Sequence, residues 1–272
     1  MPDGGAIDRA VGDPVPSPKI GAGGAGGAAD AFSARNGPPA GGTETNPYGP
    51  PWPVTGVLGQ LSAKARDKAL GLGTLRHFAP GDVVLLEGAP SDCAVLLLAG
   101  LFKVAGSLGS GREALVAIRI GGDIVGELGL ADGGPRSATV KVVGNGVGRR
   151  IGEREYYAFL DRFPDARRAV DRAVATKLRS ATRRRVEFAT YPAAARVARV
   201  LLELMEAHGT RKPDGVMIEV ALTQPELAAL VGVAAPTVQR MLANMRHEHV
   251  LDTRYRRILV LDEQRLEQLA QP

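Results

Sequence analysis

The chain has 272 residues, 44% hydrophobic and 23% charged, enough for one or two domains with real cores; aromatics at 4% make those cores aliphatic. The single cysteine, Cys93, excludes a disulfide framework, a four-cysteine zinc site and a cysteine-ligated iron–sulfur cluster, and fits a reducing, cytoplasmic setting. The net charge of +5 favours a polyanionic partner, whereas no apolar run approaches the roughly 20 residues that cross a bilayer. Asp3, Asp8 and Asp13 do not fit a secretory signal, so no membrane partner is expected.

Residues 1–60 hold three basic and five acidic side chains and 10 of the 19 prolines, so the positive charge belongs to the remainder. Runs such as Gly21-Ala22-Gly23-Gly24 offer little to bury, and residues 1–55 are predicted to be a disordered Gly/Pro-rich tail. Residues 57–71 predict a short helix closed by Gly71 or Gly73. From Phe78 to Ile151, short apolar runs alternate with glycine-containing turns, the texture of a compact β-barrel or roll. Between Glu153 and Tyr191 helix formers dominate. Val170, Val174, Leu178, Ala181 and Phe188 make a narrow stripe, with Arg185 in one seam position. Such a stripe suits pairing with a second copy of the chain, or else packs on its own domain. The dimerisation helix is expected over residues 166–191.

Residues 192–272 predict a second, mostly helical domain. Thr223-Gln224-Pro225-Glu226 reads as a capping box, with proline in the first turn where it loses no hydrogen bond. Gly232 supplies the tight turn, and a second helix runs from about Ala235 to Glu248. Its exposed start would present Ala235, Pro236, Thr237, Gln239 and Arg240 to base edges, as a recognition helix does. Arg254-Tyr255-Arg256-Arg257 then turns between two strands, a basic wing suited to phosphates. An ordinary αα-hairpin is the bland alternative. The joint pattern favours a winged helix-turn-helix whose DNA contacts are Gln224, Ala235, Thr237, Gln239, Arg240, Arg256 and Arg257.

The strongest local signal is Gly126-Glu127-Leu128-Gly129-Leu130-Ala131-Asp132-Gly133-Gly134-Pro135-Arg136-Ser137-Ala138-Thr139-Val140. It reads as a turn, a short helix, a glycine loop and a strand carrying an arginine. Arg136 can give two parallel hydrogen bonds to a phosphate, Glu127 can accept from a sugar hydroxyl, and Ser137 adds a donor. The alternative is a buried Glu127–Arg136 pair that merely closes the barrel.

This segment resembles the phosphate-binding cassette of cyclic-nucleotide-binding domains: Gly-Glu-Leu-x-Leu, four variable residues, then Pro-Arg-Ser/Ala-Ala-Thr-Val, matched here at every fixed position. Phe78-x-x-Gly81, Glu87-Gly88 and Gly100-x-x-Lys103-Val104 resemble that domain's first strands. With the long helix and winged helix-turn-helix behind it, the order of parts is similar to the Crp–Fnr superfamily of bacterial transcription regulators. The resemblance implies an α+β chain with an N-terminal β-roll of cyclic-nucleotide-binding type (residues 56–165), a long dimerisation helix and a C-terminal winged helix-turn-helix. It implies that Glu127 holds a ribose 2′-hydroxyl and Arg136 a cyclic phosphate, with Gly126, amides near Leu128 and Gly129, and the Ser137 hydroxyl completing the cradle. Some members touch the base with a Thr-Ser pair on the long helix, where this chain has Ala181 and Thr182. At the start of the recognition helix the family's Arg-Glu is replaced by Ala235 and Pro236. Arg240 is kept, and readout by Gln224 and Gln239 is the alternative.

No Ser/His/Asp or Cys/His arrangement and no Walker loop is present, so no enzyme is expected. His247 and His249 are spaced wrongly for a metal pair, so no metal is expected. Arg183-Arg184-Arg185 reads as a solvated face, and Cys93 as a packed residue. The expected protein is a homodimer that binds double-stranded DNA, with RNA polymerase as a further partner. Its effector is a cyclic nucleotide, cyclic AMP first and cyclic GMP second. The alternatives are a ligand-independent regulator of the same fold, one answering a cyclic dinucleotide, or a nucleotide-binding module that reads no operator.

Overall fold

The computed structural model describes residues 46–48, 51–107, 113–220, 222–254 and 257–271. Helices α1 (Val57–Gln60) and α2 (Ala63–Leu70) lead into β1 (Thr74–Phe78), β2 (Val83–Leu85), β3 (Cys93–Ala99), β4 (Leu101–Ser107), β5 (Glu113–Ile120) and β6 (Ile124–Val125). Helix α3 (Glu127–Asp132) is followed by β7 (Thr139–Val142) and β8 (Gly146–Gly152). The strands form two antiparallel sheets, ordered β1-β8-β3-β6 and β2-β7-β4-β5. The pleat explains the long apolar run in β3, because both faces of the strand are covered. Cys93, Val95 and Leu97 join Leu85, Phe102, Val125, Val140 and Val142 in one buried cluster of the roll. Ala94, Leu96 and Leu98 join the residues of the surrounding helices.

Helix α4 (Glu153–Arg162) does not run on into α5 (Pro164–Thr190). Phe163 is extended, and Pro164 restarts the helix at its first turn, where a missing N–H costs nothing. Ala166, Ala169 and Val170 of α5 are buried with Tyr156 and Leu160 of α4, so the first half of the stripe packs on its own chain. The rest of the stripe is open, with Leu178 67% exposed. Phe188 leaves the predicted seam. Its ring atoms lie 2.8–3.0 Å from where a Cβ on Gly232 would stand, so it packs on the helix-turn-helix turn instead.

The predicted tail ends too late in the sequence reading. Residues 1–45 lie outside the described residues, but Trp52 is 8% exposed and its indole Nε1 donates to Leu98 O at 2.9 Å. The ring lies against Gly122, where an added Cβ would come within 3.3 Å of it. One indole, buried with its N–H satisfied, offsets the entropy of ordering a proline-rich stretch whose average composition hides it.

Past Tyr191, α6 (Ala193–His208), β9 (Gly209–Lys212), β10 (Gly215–Ile218), α7 (Gln224–Val231), α8 (Ala235–His247), β11 (Leu251–Arg254), β12 (Arg257–Val260) and α9 (Glu263–Leu269) follow. A third antiparallel sheet has the order β11-β12-β10-β9. The capping box forms: Glu226 N donates to Thr223 Oγ1 at 3.4 Å, and Thr223 N to Glu226 Oε2 at 2.8 Å. Gly232 takes the left-handed conformation that ends α7 (φ 71°). Leu227, Leu230, Val238 and Leu242 lock α7 to α8.

His208, at the end of α6, is largely enclosed and its Nδ1 has no hydrogen-bond partner among the described residues. Burial, and then the charge of Arg119 on β5, push its pKa from 6.5 down to about 4. The unfolded chain therefore binds more protons between those values, so stability falls as pH is lowered through that window. The full loss is about 3 kcal/mol. Urea midpoints at pH 7 and 4.5 are expected to differ less in His208→Gln than in the natural chain. Parallel pH profiles would show that the imidazole is not enclosed as described.

Candidate ligand and nucleic-acid sites

Gly126 caps α3 in the left-handed region (φ 84°), where a side chain would be strained. A Cβ there would also sit 2.5 Å from Arg136 Nη1. The turn thus brings the helix and the arginine together, and Arg136 sits in the loop before β7 rather than on the strand that the sequence predicts. Glu127 and Arg136 are 2% and 5% exposed, so both point inward rather than into solvent. Arg136 Nη1 donates to Gly126 O at 2.9 Å, and Nη2 lies 3.3 Å from both Asp92 Oδ1 and Cys93 Sγ. Asp92 also receives Arg150. Burial works to raise the Asp92 pKa, but Cys93 and Arg150 outweigh it and hold the carboxyl below its usual value. Cys93 is buried as expected; burial and then Asp92 push its thiol up.

Among the described residues the two cassette side chains take separate partners. Glu127 Oε1 accepts from Lys177 Nζ on α5 at 2.7 Å, and the same ammonium donates to Ile124 O at 2.7 Å. Burial lowers the Lys177 pKa, with Glu127 opposing it. Arg119 and Asp123 are also enclosed, and burial lowers the first and raises the second. The cassette therefore has four ionisable groups on its α5 side and an Arg–Asp–Arg chain on the other.

Gly126, Glu127, Leu128, Gly129, Arg136 and Ser137 all fall in one turn–helix–loop segment ahead of β7, with the Leu128 and Ser137 side chains exposed. A Cβ on Gly129 would meet Ser91 Oγ at 1.9 Å, and that hydroxyl is buried without a hydrogen-bond partner among the described residues. A buried cation, a buried carboxylate and an orphaned hydroxyl beside a glycine cradle fit a small anionic ligand carrying hydroxyls. Thr182 is not brought to the cassette within the chain. It is exposed on α5, like Ala181, while Lys177 is the α5 side chain that reaches Glu127.

Sequence reasoning missed Lys177, Asp92 and Ser91. Lys177 lies three residues after Val174 of the stripe, on the face that turns toward the roll. A charged residue beside a buried stripe was the available signal.

In the C-terminal domain Gln224, Gln239, Arg240 and Arg257 are exposed, while Ala235 and Thr237 are half-buried at the start of α8. Arg254 opposes Arg257 across the wing, and Arg256 lies outside the described residues. Among the described residues no cluster of three His, Cys, Asp or Glu side chains is placed to hold a metal ion, and no helix is long and apolar enough to cross a membrane.

A roll with this cassette, joined by a long helix to a winged helix-turn-helix, defines a ligand-binding transcription regulator. Residues 75–163 match the cyclic nucleotide-binding domain family, and residues 195–269 match the Crp-like helix-turn-helix domain family. The chain is 28% identical over 189 residues to the CRP-like cAMP-activated global transcriptional regulator of Mycobacterium tuberculosis, covering 70% of this chain and 84% of that one. It is 27% identical over 191 residues to the cyclic AMP receptor protein of Thermus thermophilus, covering 70% and 85%. A solved CRP-family transcriptional regulator from Thermus thermophilus superposes with a TM-score of 0.61 at 26% identity, covering 72% of this chain and 96% of that one. The chain belongs to the Crp–Fnr superfamily. That family is one of transcription regulators rather than of enzymes.

Proposed function

We propose that the chain is a cytoplasmic, homodimeric regulator whose operator affinity is set by a cyclic nucleotide, cyclic AMP first, held by Glu127 and Arg136. The observation that carries this reading is the burial of both side chains in an intact cassette on the same chain as a helix-turn-helix whose Gln239 and Arg240 are exposed. Arg136 would hold the cyclic phosphate and Glu127 a ribose hydroxyl, with Ser91, Ser137 and the Gly129 cradle completing the pocket. Because Lys177 already grips Glu127, a ligand hydroxyl at that carboxylate must share it with α5. That gives the ligand a direct hold on the helix leading to the DNA-binding domain. A ligand that binds two arrangements unequally shifts their populations by its differential affinity.

Leu178 and Val186, 67% and 56% exposed and two turns apart on α5, support a second copy of the chain as partner. A two-fold dimer reads half-sites about 34 Å apart, with Arg240, Gln239, Gln224 and Thr237 toward bases and Arg256 and Arg257 toward phosphates. Leu178→Glu is expected to convert the dimer to monomer in sedimentation velocity at micromolar concentration; an unaltered dimer would place the interface elsewhere. RNA polymerase remains a further partner of this reading.

The Lys177–Glu127 pair and Ala181 favour a second reading, the same regulator answering cyclic GMP or a cyclic dinucleotide. Calorimetric titration with cyclic AMP, cyclic GMP and a cyclic dinucleotide separates the two. Cyclic AMP is expected to bind tightest, and heat from none of the three would end the ligand half of the proposal.

A further inference from the structure

We propose that Lys103 on β4 and Glu226 on α7 form a latch that holds the DNA-binding domain on the β-roll and transmits the state of the cassette to it. The inference rests on the regulatory reading above and names its means of regulation.

Lys103 Nζ donates to Glu226 Oε1 at 2.6 Å across 123 positions of sequence. The two side chains are 17% and 29% exposed, so the pair is screened less than a surface ion pair. Glu226 divides its oxygens: Oε1 meets the roll, while Oε2 closes the capping box of α7 through Thr223. Whatever shifts Lys103 therefore pulls on the N-terminus of the first helix of the helix-turn-helix.

The pair does not stand alone. Strand β5 packs directly on α7, and its Leu115 and Ile118 share one buried cluster with Leu227, Leu230 and Val231. Arg184 of α5 ties the same strand down, donating to Val116 O while its other arm reaches Glu203 of α6 at 3.2 Å. At the other end, the strand that leaves Arg136 is hydrogen-bonded to the strand that carries Lys103. In that register Thr139 lies opposite Ala105, and Lys141 opposite Lys103. A contiguous route thus runs from the phosphate arginine through β7 and β4 to Glu226. Gln239 and Arg240 of α8 stay exposed with the latch closed.

The test uses the full-length protein with Lys103→Gln and Glu226→Gln. Glutamine at 226 can still close a capping box, so the second variant removes the charge and spares the helix start. Two readouts are taken. Without any ligand, hydrogen exchange in residues 113–120 and 224–231 is expected to quicken several-fold in both variants, while exchange in β3 stays as it was. With cyclic AMP, the ratio of operator affinities with and without nucleotide is expected to move toward one by about fivefold or more in both variants. Unchanged exchange in Lys103→Gln overturns the latch. Quickened exchange with an unchanged ratio also overturns it, because the contact is then structural only. A natural chain that binds no nucleotide overturns the regulatory reading instead, and that result is seen before any variant is compared.

Discussion

On the proposed function, replacing Arg136 with glutamine is expected to lower the affinity for cyclic AMP by about 10²–10³-fold, because a buried charged donor to the phosphate would be lost. The fold should survive the change. Asp92, the acidic partner of Arg136, is largely exposed and keeps Arg150, so no buried charge is stranded on it. Gly126 O loses a donor, which costs about 1–2 kcal/mol. Calorimetry with a parallel thermal melt separates the two effects: a large loss of binding with a small change in Tm supports the assignment. Binding equal to that of the natural chain would place the phosphate elsewhere.

Truncating Trp52 to alanine is expected to destabilise the protein by about 3–5 kcal/mol, the range for removing a large buried aromatic side chain. The indole is buried among Val57, Leu58, Leu96 and Leu98, and its N–H is satisfied by Leu98 O. Trp52→Phe keeps much of the apolar volume and strands that carbonyl, so it should cost about 1–2 kcal/mol plus any cavity left by the smaller ring. Urea unfolding of both variants measures the difference. A change below about 0.5 kcal/mol in Trp52→Ala, the scale of an ordinary surface substitution, would mean that the segment before α1 is not part of the core.

The cassette was legible because its constraints are local. Gly126 and Gly129 stand where a Cβ would strike Arg136 and Ser91, and the glutamate and arginine are separated by one short helix and one loop. The capping box, the glycine turn and the wing were legible for the same reason. What escaped depends on approach between distant segments. Leu115 and Ile118 read as core residues of a roll strand, yet they pack against the DNA-binding domain. Phe188 keeps the helical period of the seam and packs on Gly232, because the chain turns back at Tyr191 and brings that glycine to it. Lys177 reads as an ordinary helix surface residue until the roll places Glu127 against it. Trp52 is a single residue whose burial no composition window can register.

The most direct measurement selects an operator from a random duplex pool with the full-length protein and then measures its affinity with and without saturating cyclic AMP. The account predicts enrichment of a two-fold motif with half-sites about one helical turn apart, and an affinity that changes about tenfold or more with nucleotide in the natural chain and not in Arg136→Gln. An enriched motif bound equally well with and without nucleotide would contradict it.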